Sequence, residues 1–120
     1  MNPEKLLESI IDSIGNAKGL NIAVLDVRRS TDITDYFVIV TGSSNRHVKS
    51  ISRTVIDELR DRGVRPLGVE GEQYSHWILL DFCDVLVNVM LAETREFYDL
   101  ESLWDVTLND TAVTADSPTE

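Results

Sequence analysis

Residues 36–63 read YFVIVTGSSNRHVKSISRTVIDELRDRG. Tyr36 to Thr41 is short, apolar and rich in β-branched residues, which is the composition of a strand. Thr41-Gly42-Ser43-Ser44-Asn45 supplies turn residues, and beyond them the apolar spacing changes. Val48, Ile51, Val55, Ile56 and Leu59 recur every three or four positions, the stripe of one helix face, over about Asn45 to Arg62. Gly63 closes that helix, because glycine takes the left-handed conformation of a helix end without steric cost. An extended segment, Pro66 to Glu70, comes next, so strand, turn, helix and extended segment read as a right-handed βαβ crossover in an α/β protein.

Upstream, Asn2 caps and Pro3 opens an amphipathic helix whose stripe is Leu6, Leu7, Ile10, Ile11, Ile14 and Ala17, with Gly15 and Gly19 marking its end. Asn21 to Arg28 is a strand that pairs antiparallel with Tyr36–Thr41 through an irregular polar loop. Downstream, His76 to Asp81 and Asp84 to Leu91 form a hairpin joined by Phe82-Cys83, apolar on both faces as central strands are. That two-residue turn sets Trp77 near Asn88. Glu93 to Trp104 returns to helical spacing through Phe97, Leu100 and Trp104. The expected fold is a single domain over 1–106, a mixed sheet of about five strands covered by helices. Residues 107–120 hold too little apolar surface to offset ordering entropy, and a disordered tail is expected there.

The 120 residues suit one domain, and 42% apolar content suits a packed core. Formal charge is −10, from 21 acidic and 11 basic residues, which disfavours non-specific attraction to phosphate or anionic lipid and favours a basic partner. A single cysteine, Cys83, and a charged start at Glu4 and Lys5 point to a reducing cytoplasmic setting. No apolar run approaches the roughly 20 residues of a membrane span.

For chemistry, Gly42-Ser43 sits where phosphate-binding loops place backbone donors, but no Walker lysine or GxGxxG spacing surrounds it. A metal-dependent nucleotidyl transferase would pair Gly42 and Ser43 with Asp81 and Asp84; those aspartates flank a turn instead of sharing a strand face. His47 and His76 lack neighbours at metal-ligand spacing, and no metal or cofactor is expected. Arg46, Lys49, Arg53 and Arg60 share one stripe of the long helix. Charge runs of this kind are usually solvated faces, although a contact with acidic protein or RNA stays open. Trp77 beside a polar Asn at a strand end fits either a core or an interface anchor.

Taken together, TDITDYFVIVTGSSNRHVKSI (31–51), GVEGEQYSHWILLDFCDVLVNVMLAETREFYDLESLW (68–104) and NIAVLDV (21–27) resemble the Iojap-like family of ribosomal silencing factors. The resemblance spans roughly residues 4–104. It implies a nucleotidyltransferase-like α/β fold without the catalytic carboxylates, and a non-enzymatic role. It further implies attachment to the large ribosomal subunit through ribosomal protein L-fourteen at the intersubunit face; a minor rRNA contact stays open beside it. Small-subunit joining is thereby hindered and translation falls under nutrient limitation; the free protein is implied to be a homodimer. Two positions depart from the family pattern: Cys83 stands where it has glycine and Asn88 where it has histidine. If the glycine takes a positive φ, Cys83 must bear strain or change the turn. The partner-binding set expected at the open end of the sheet is Glu70, Tyr74, His76, Trp77, Asp81 and Asp84, with Arg46 and His47 of the R-H-V match. Acidic groups there would meet basic ribosomal protein.

Overall fold

A computed structural model describes residues 1–103 and the backbone of 112–114. Helix α1 (Pro3–Asn16) starts as expected, with the Asn2 side chain accepting a hydrogen bond from the Lys5 backbone N–H at 2.8 Å. Strand β1 (Leu20–Asp26) pairs antiparallel with β2 (Tyr36–Gly42), with a register irregularity between Leu20 and Ala23. Helix α2 (Asn45–Asp61) is capped by Ser44, whose hydroxyl accepts from the His47 N–H, and it ends before Gly63 at φ +84°. Strands β3 (Gly68–Glu70), β4 (Trp77–Asp81) and β5 (Val85–Leu91) follow, and β5 runs straight into α3 (Ala92–Tyr98). A short strand β6 (Ala112–Thr114) pairs antiparallel with β1.

The sheet is mixed, in the order β3-β4-β5-β2-β1-β6, with β2 and β5 parallel and the other neighbouring pairs antiparallel. Alternation along the strands sends Val38, Val40, Ile78, Leu80, Val87 and Val89 to one face, all fully buried beneath α1 and α2. There they meet Ile10 and Ile14 of α1 and Val48, Ile51, Val55 and Leu59 of α2. Each side chain so buried contributes roughly 1.5–3 kcal/mol. The opposite face carries a smaller cluster, Ala23, Ile39 and Met90, with Phe37, Trp77 and Leu100 packed against it.

The α/β class, the two long helices and the first five strands agree with the sequence reading, and four details differ. The segment after α2 is not the neighbour of β2: β4 and β5 lie between β2 and β3, and the strand parallel to β2 is β5. The crossover therefore spans α2 and the whole β3–β4 hairpin. The β4–β5 register is shifted by two, with Trp77 opposite Met90 and Leu79 opposite Asn88. The cause is a turn moved one residue along, centred on Cys83 and Asp84 instead of Phe82 and Cys83, in which the Phe82 N–H donates to the Val85 carbonyl. Thirdly, the last helix stops at Asp99, which adopts φ +47°, and residues 100–103 form a separate helical turn. Finally, β6 adds a sixth strand at residues 112–114, within the span expected as a tail; the rest of 104–120 lies outside the described residues.

Two measurements follow from this geometry. Cys83 sits in the turn at φ +74°, where an L side chain costs about 1–2 kcal/mol. Cys83→Gly should therefore raise stability in urea unfolding, by about 0.5–1 kcal/mol after the greater freedom of glycine in the unfolded chain is subtracted. At the same end of the sheet, Asp26 accepts hydrogen bonds from the Arg28 backbone and guanidinium, which hold its carboxyl below the usual range. A depressed carboxylate pKa stabilises the fold above the unfolded-state value and loses that contribution as pH falls through the folded one. Asp26→Asn should thus lower the melting temperature at neutral pH, with the gap to wild type closing towards pH 2.

Candidate functional site

The C-terminal ends of β2 and β5 and the start of β4 lie at one end of the sheet, since Gly42 is paired with Leu91 and Trp77 with Met90. A groove of about 440 Å³ opens there, lined by His76, Trp77, Glu93, Thr94, Phe97 and Tyr98. The Trp77 ring lies 5.0 Å from that of Tyr98, and Tyr98 meets Phe97 edge-on at 5.0 Å. Phe97 is 79% exposed and Tyr98 52%, an unusual outlay of aromatic surface for so small a domain. Tyr74, also exposed, stands 6.4 Å from His76.

Buried polar groups hold this aromatic surface in place. The Trp77 indole N–H donates to Asn88 Oδ1 at 2.9 Å, and Asn88 Nδ2 donates to the Val38 carbonyl at 3.2 Å. Asn88 is 1% exposed, so losing either bond would leave a buried polar group unpaired at a cost of about 1–3 kcal/mol. The two residues meet although they are not directly opposite. A register shift of two keeps Asn88 on the same sheet face as Trp77, and a diagonal neighbour lies within reach of an indole.

Helix α3 is held by Arg95. Its Nε and Nη2 bind both carboxylate oxygens of Glu101, while Nη1 donates to the Asn21 carbonyl and to Thr41 Oγ1. One side chain thus ties α3 to the start of β1, the end of β2 and the turn at 100–103. The loop before β4 is equally constrained: Asn45 Nδ2 donates to the Tyr74 and Ser75 carbonyls, and a Cβ on Gly71 would lie 2.0 Å from the Trp77 carbonyl oxygen. Gly71 accordingly takes φ +89°.

Of the residues expected to bind a partner, Tyr74, His76 and Trp77 converge at this end, with Glu70 ending β3 opposite Leu79 and Arg46 following Asn45. His47 lies nearby but is engaged in the fold. Its Nδ1 accepts from the Ser43 backbone N–H at 2.8 Å and its Nε2 lies 2.9 Å from the Ala17 carbonyl, which selects the Nε2–H tautomer.

Asp81 and Asp84 do not belong to this group. Asp81 is at the far end of β4, about 13 Å along the strand from Trp77 at roughly 3.3 Å per residue. Its Oδ1 accepts from the Cys83 N–H at 2.8 Å, and the Asp84 carbonyl accepts from the Asp35 and Tyr36 N–H groups. Both aspartates shape the turn. The same separation parts them from Gly42 and Ser43, so the four residues of the nucleotidyl transferase reading cannot enclose one substrate. Gly42 itself answers to packing, since a Cβ there would meet Val48 Cγ2 at 2.7 Å and the Val48 nitrogen at 2.9 Å. Among the described residues, no group of three or more His, Cys, Asp or Glu is placed to hold a metal ion, and no helix is long and apolar enough to cross a membrane.

Phe97, Tyr98 and Glu93 were not among the expected site residues. Helical spacing put Phe97 in a buried stripe with Leu100, and the break at Asp99 separates the two. A signal was present: adjacent residues on a helix point about 100° apart, so the Phe97-Tyr98 pair on a short helix cannot face one core together.

The family model for ribosomal silencing factor during starvation matches residues 1–120. The chain is 36% identical over 104 residues to a ribosomal silencing factor of Chromobacterium violaceum, covering 87% of this chain and 85% of that protein. It is 35% identical to one of Haemophilus influenzae, covering 82% and 97%. A Mus musculus protein named for mitochondrial assembly of the ribosomal large subunit is 31% identical, covering 82% of this chain and 44% of that one. A crystal structure of a Chromobacterium violaceum protein superposes with a TM-score of 0.86 at 32% identity, covering 99% of this chain and 92% of that one. One from Bacillus halodurans gives 0.80 at 25% identity, covering 92% and 97%. A match over the whole chain, in sequence and in fold, means that the protein belongs to the ribosomal silencing factor family.

Proposed function

We propose that this chain binds the large ribosomal subunit through a basic ribosomal protein at the intersubunit face, L-fourteen in the family reading, and lowers translation by keeping the small subunit from joining when nutrients are scarce. The observation that carries the proposal is the exposed aromatic groove of Trp77, Phe97 and Tyr98 with Glu93 in its wall. Aromatic anchors of this type dominate interface energetics, and acidic residues beside them accelerate encounter with a positive surface. The chain's charge of −10 acts in the same direction.

No reaction is required of such a protein. A body measuring 34 × 32 × 22 Å, seated on a surface that the other subunit must approach to van der Waals distance, blocks it by volume alone. Inhibition is then stoichiometric, and its duration is set by the dissociation rate of the complex. The same reading places the protein in the cytoplasm and makes it a homodimer when free; sedimentation of the isolated chain should give twice the chain mass, and a monomer would refute that part.

Phe97 suits a direct test because its exposure makes truncation nearly neutral for the fold, within about 0.5 kcal/mol. Phe97→Ala should weaken co-pelleting with large subunits by about 2 kcal/mol, roughly thirtyfold. Glu93→Lys should chiefly slow association. Circular dichroism should show both variants folded. Wild-type pelleting and wild-type inhibition of subunit joining by both variants would refute the groove as the docking surface.

A further inference from the structure

The basic stripe of α2 does not survive intact in three dimensions. Arg53 is paired with Glu72 at 3.2 Å and Arg60 with Asp57 at 3.4 Å. Arg46 and Lys49, in the first turns of the helix, are exposed and make no ion pair among the described residues. They stand one turn apart, where side chains are neighbours. A third cation joins them from a distant part of the sequence. The His47 ring, held by the Ser43 N–H on one side, reaches the Ala17 carbonyl on the other, and so brings the exposed Lys18 up to the start of α2.

This concentration of positive charge runs against the chain's overall −10. It also has a definite position relative to the aromatic groove. Asn45, immediately before Arg46, is hydrogen-bonded to the Tyr74 and Ser75 carbonyls, and it shares a second groove with Leu20 and Glu93, so the cations stand beside a site whose wall carries the acidic Glu93. A partner made of basic protein alone would be attracted by the acid and repelled by the cations. A partner in which basic protein borders a phosphate backbone would be attracted by both.

We infer that Lys18, Arg46 and Lys49 form an RNA-phosphate contact beside the protein-binding groove, so that the chain docks across a boundary between ribosomal protein and rRNA. The inference rests on the proposed function and adds a second partner chemistry to it. Binding to phosphate displaces condensed counterions, and each phosphate neutralised adds about 0.7–0.9 to the slope of log affinity against log salt. Docking on protein by the groove has no such dependence on these three residues.

The test compares wild type with the triple variant Lys18→Gln/Arg46→Gln/Lys49→Gln, using Lys5→Gln/Arg65→Gln as a control that removes exposed cations elsewhere. Affinity is measured across a salt series for intact large ribosomal subunits and for the isolated ribosomal protein. On intact subunits the triple variant should bind about tenfold or more weakly at moderate salt, with the salt slope reduced by about two; the control should keep the wild-type slope. On the isolated protein all three should bind alike. An unchanged slope for the triple variant on intact subunits would overturn the inference while leaving the groove reading standing. An equal loss on the isolated protein would overturn it in favour of an acidic protein contact. Failure of wild type to bind large subunits at all would remove the function and this inference together.

Discussion

The parallel pairing of β2 with β5 governs the placement of nearly everything else. Two parallel strands cannot be joined by a tight turn, so the chain must leave the end of β2 and return to its start before β5 begins. Here α2 and the β3–β4 hairpin make that return, and α2 covers the apolar face of the strands it connects. Because both strands run the same way, Gly42 and Leu91 finish side by side, and the elements that follow them, α2 and α3, start from the same end of the sheet. Antiparallel β4 starts there as well, which delivers Trp77 to that end. The groove is thus a product of topology: three chain segments far apart in sequence are brought together by strand direction.

What topology gathers, a few hydrogen bonds make definite. Packing alone would leave Trp77 free to rotate against a partly open face, but its indole N–H is committed to Asn88, itself tied to the Val38 carbonyl. Helix α3 has no fully buried residue of its own and depends on Arg95, whose guanidinium binds three separate segments. Arg95 is 14% exposed, so its pairing with Glu101 escapes much of the solvent screening that makes surface ion pairs weak. Such preorganisation lowers the ordering cost of binding and suits a protein that acts by staying bound.

Charge is distributed with the same economy of position. Arg28, Arg53, Arg60 and Arg95 are matched with acids in the folded chain, whereas Lys18, Arg46 and Lys49 stand exposed on one flank of the groove. The acidic excess that opposes non-specific RNA binding is therefore compatible with a local cationic contact, because screening confines exposed charges to a range of about 8–10 Å.

Features carried by neighbouring residues were legible from the sequence. The stripes of α1 and α2, the cap at Asn2, the apolar, β-branched runs of β2 and β5 and the end of α2 at Gly63 all depend on spacings of a few residues, and they appear where those spacings place them. The family resemblance likewise rests on local blocks read in order. Other features depend on partners tens of residues away, and no local pattern encodes them. The seat of β3 beyond β4, the shifted hairpin register, the addition of β6 and the removal of Asp81 and Asp84 from the site are of this kind. So are the exposure of Phe97 and the joining of Lys18 to Arg46 through His47. Periodicity tells a residue which face it occupies, but the energy of a long-range hydrogen bond or strand pairing exists only once the chain has closed the loop between its partners, and that closure is a property of the whole fold.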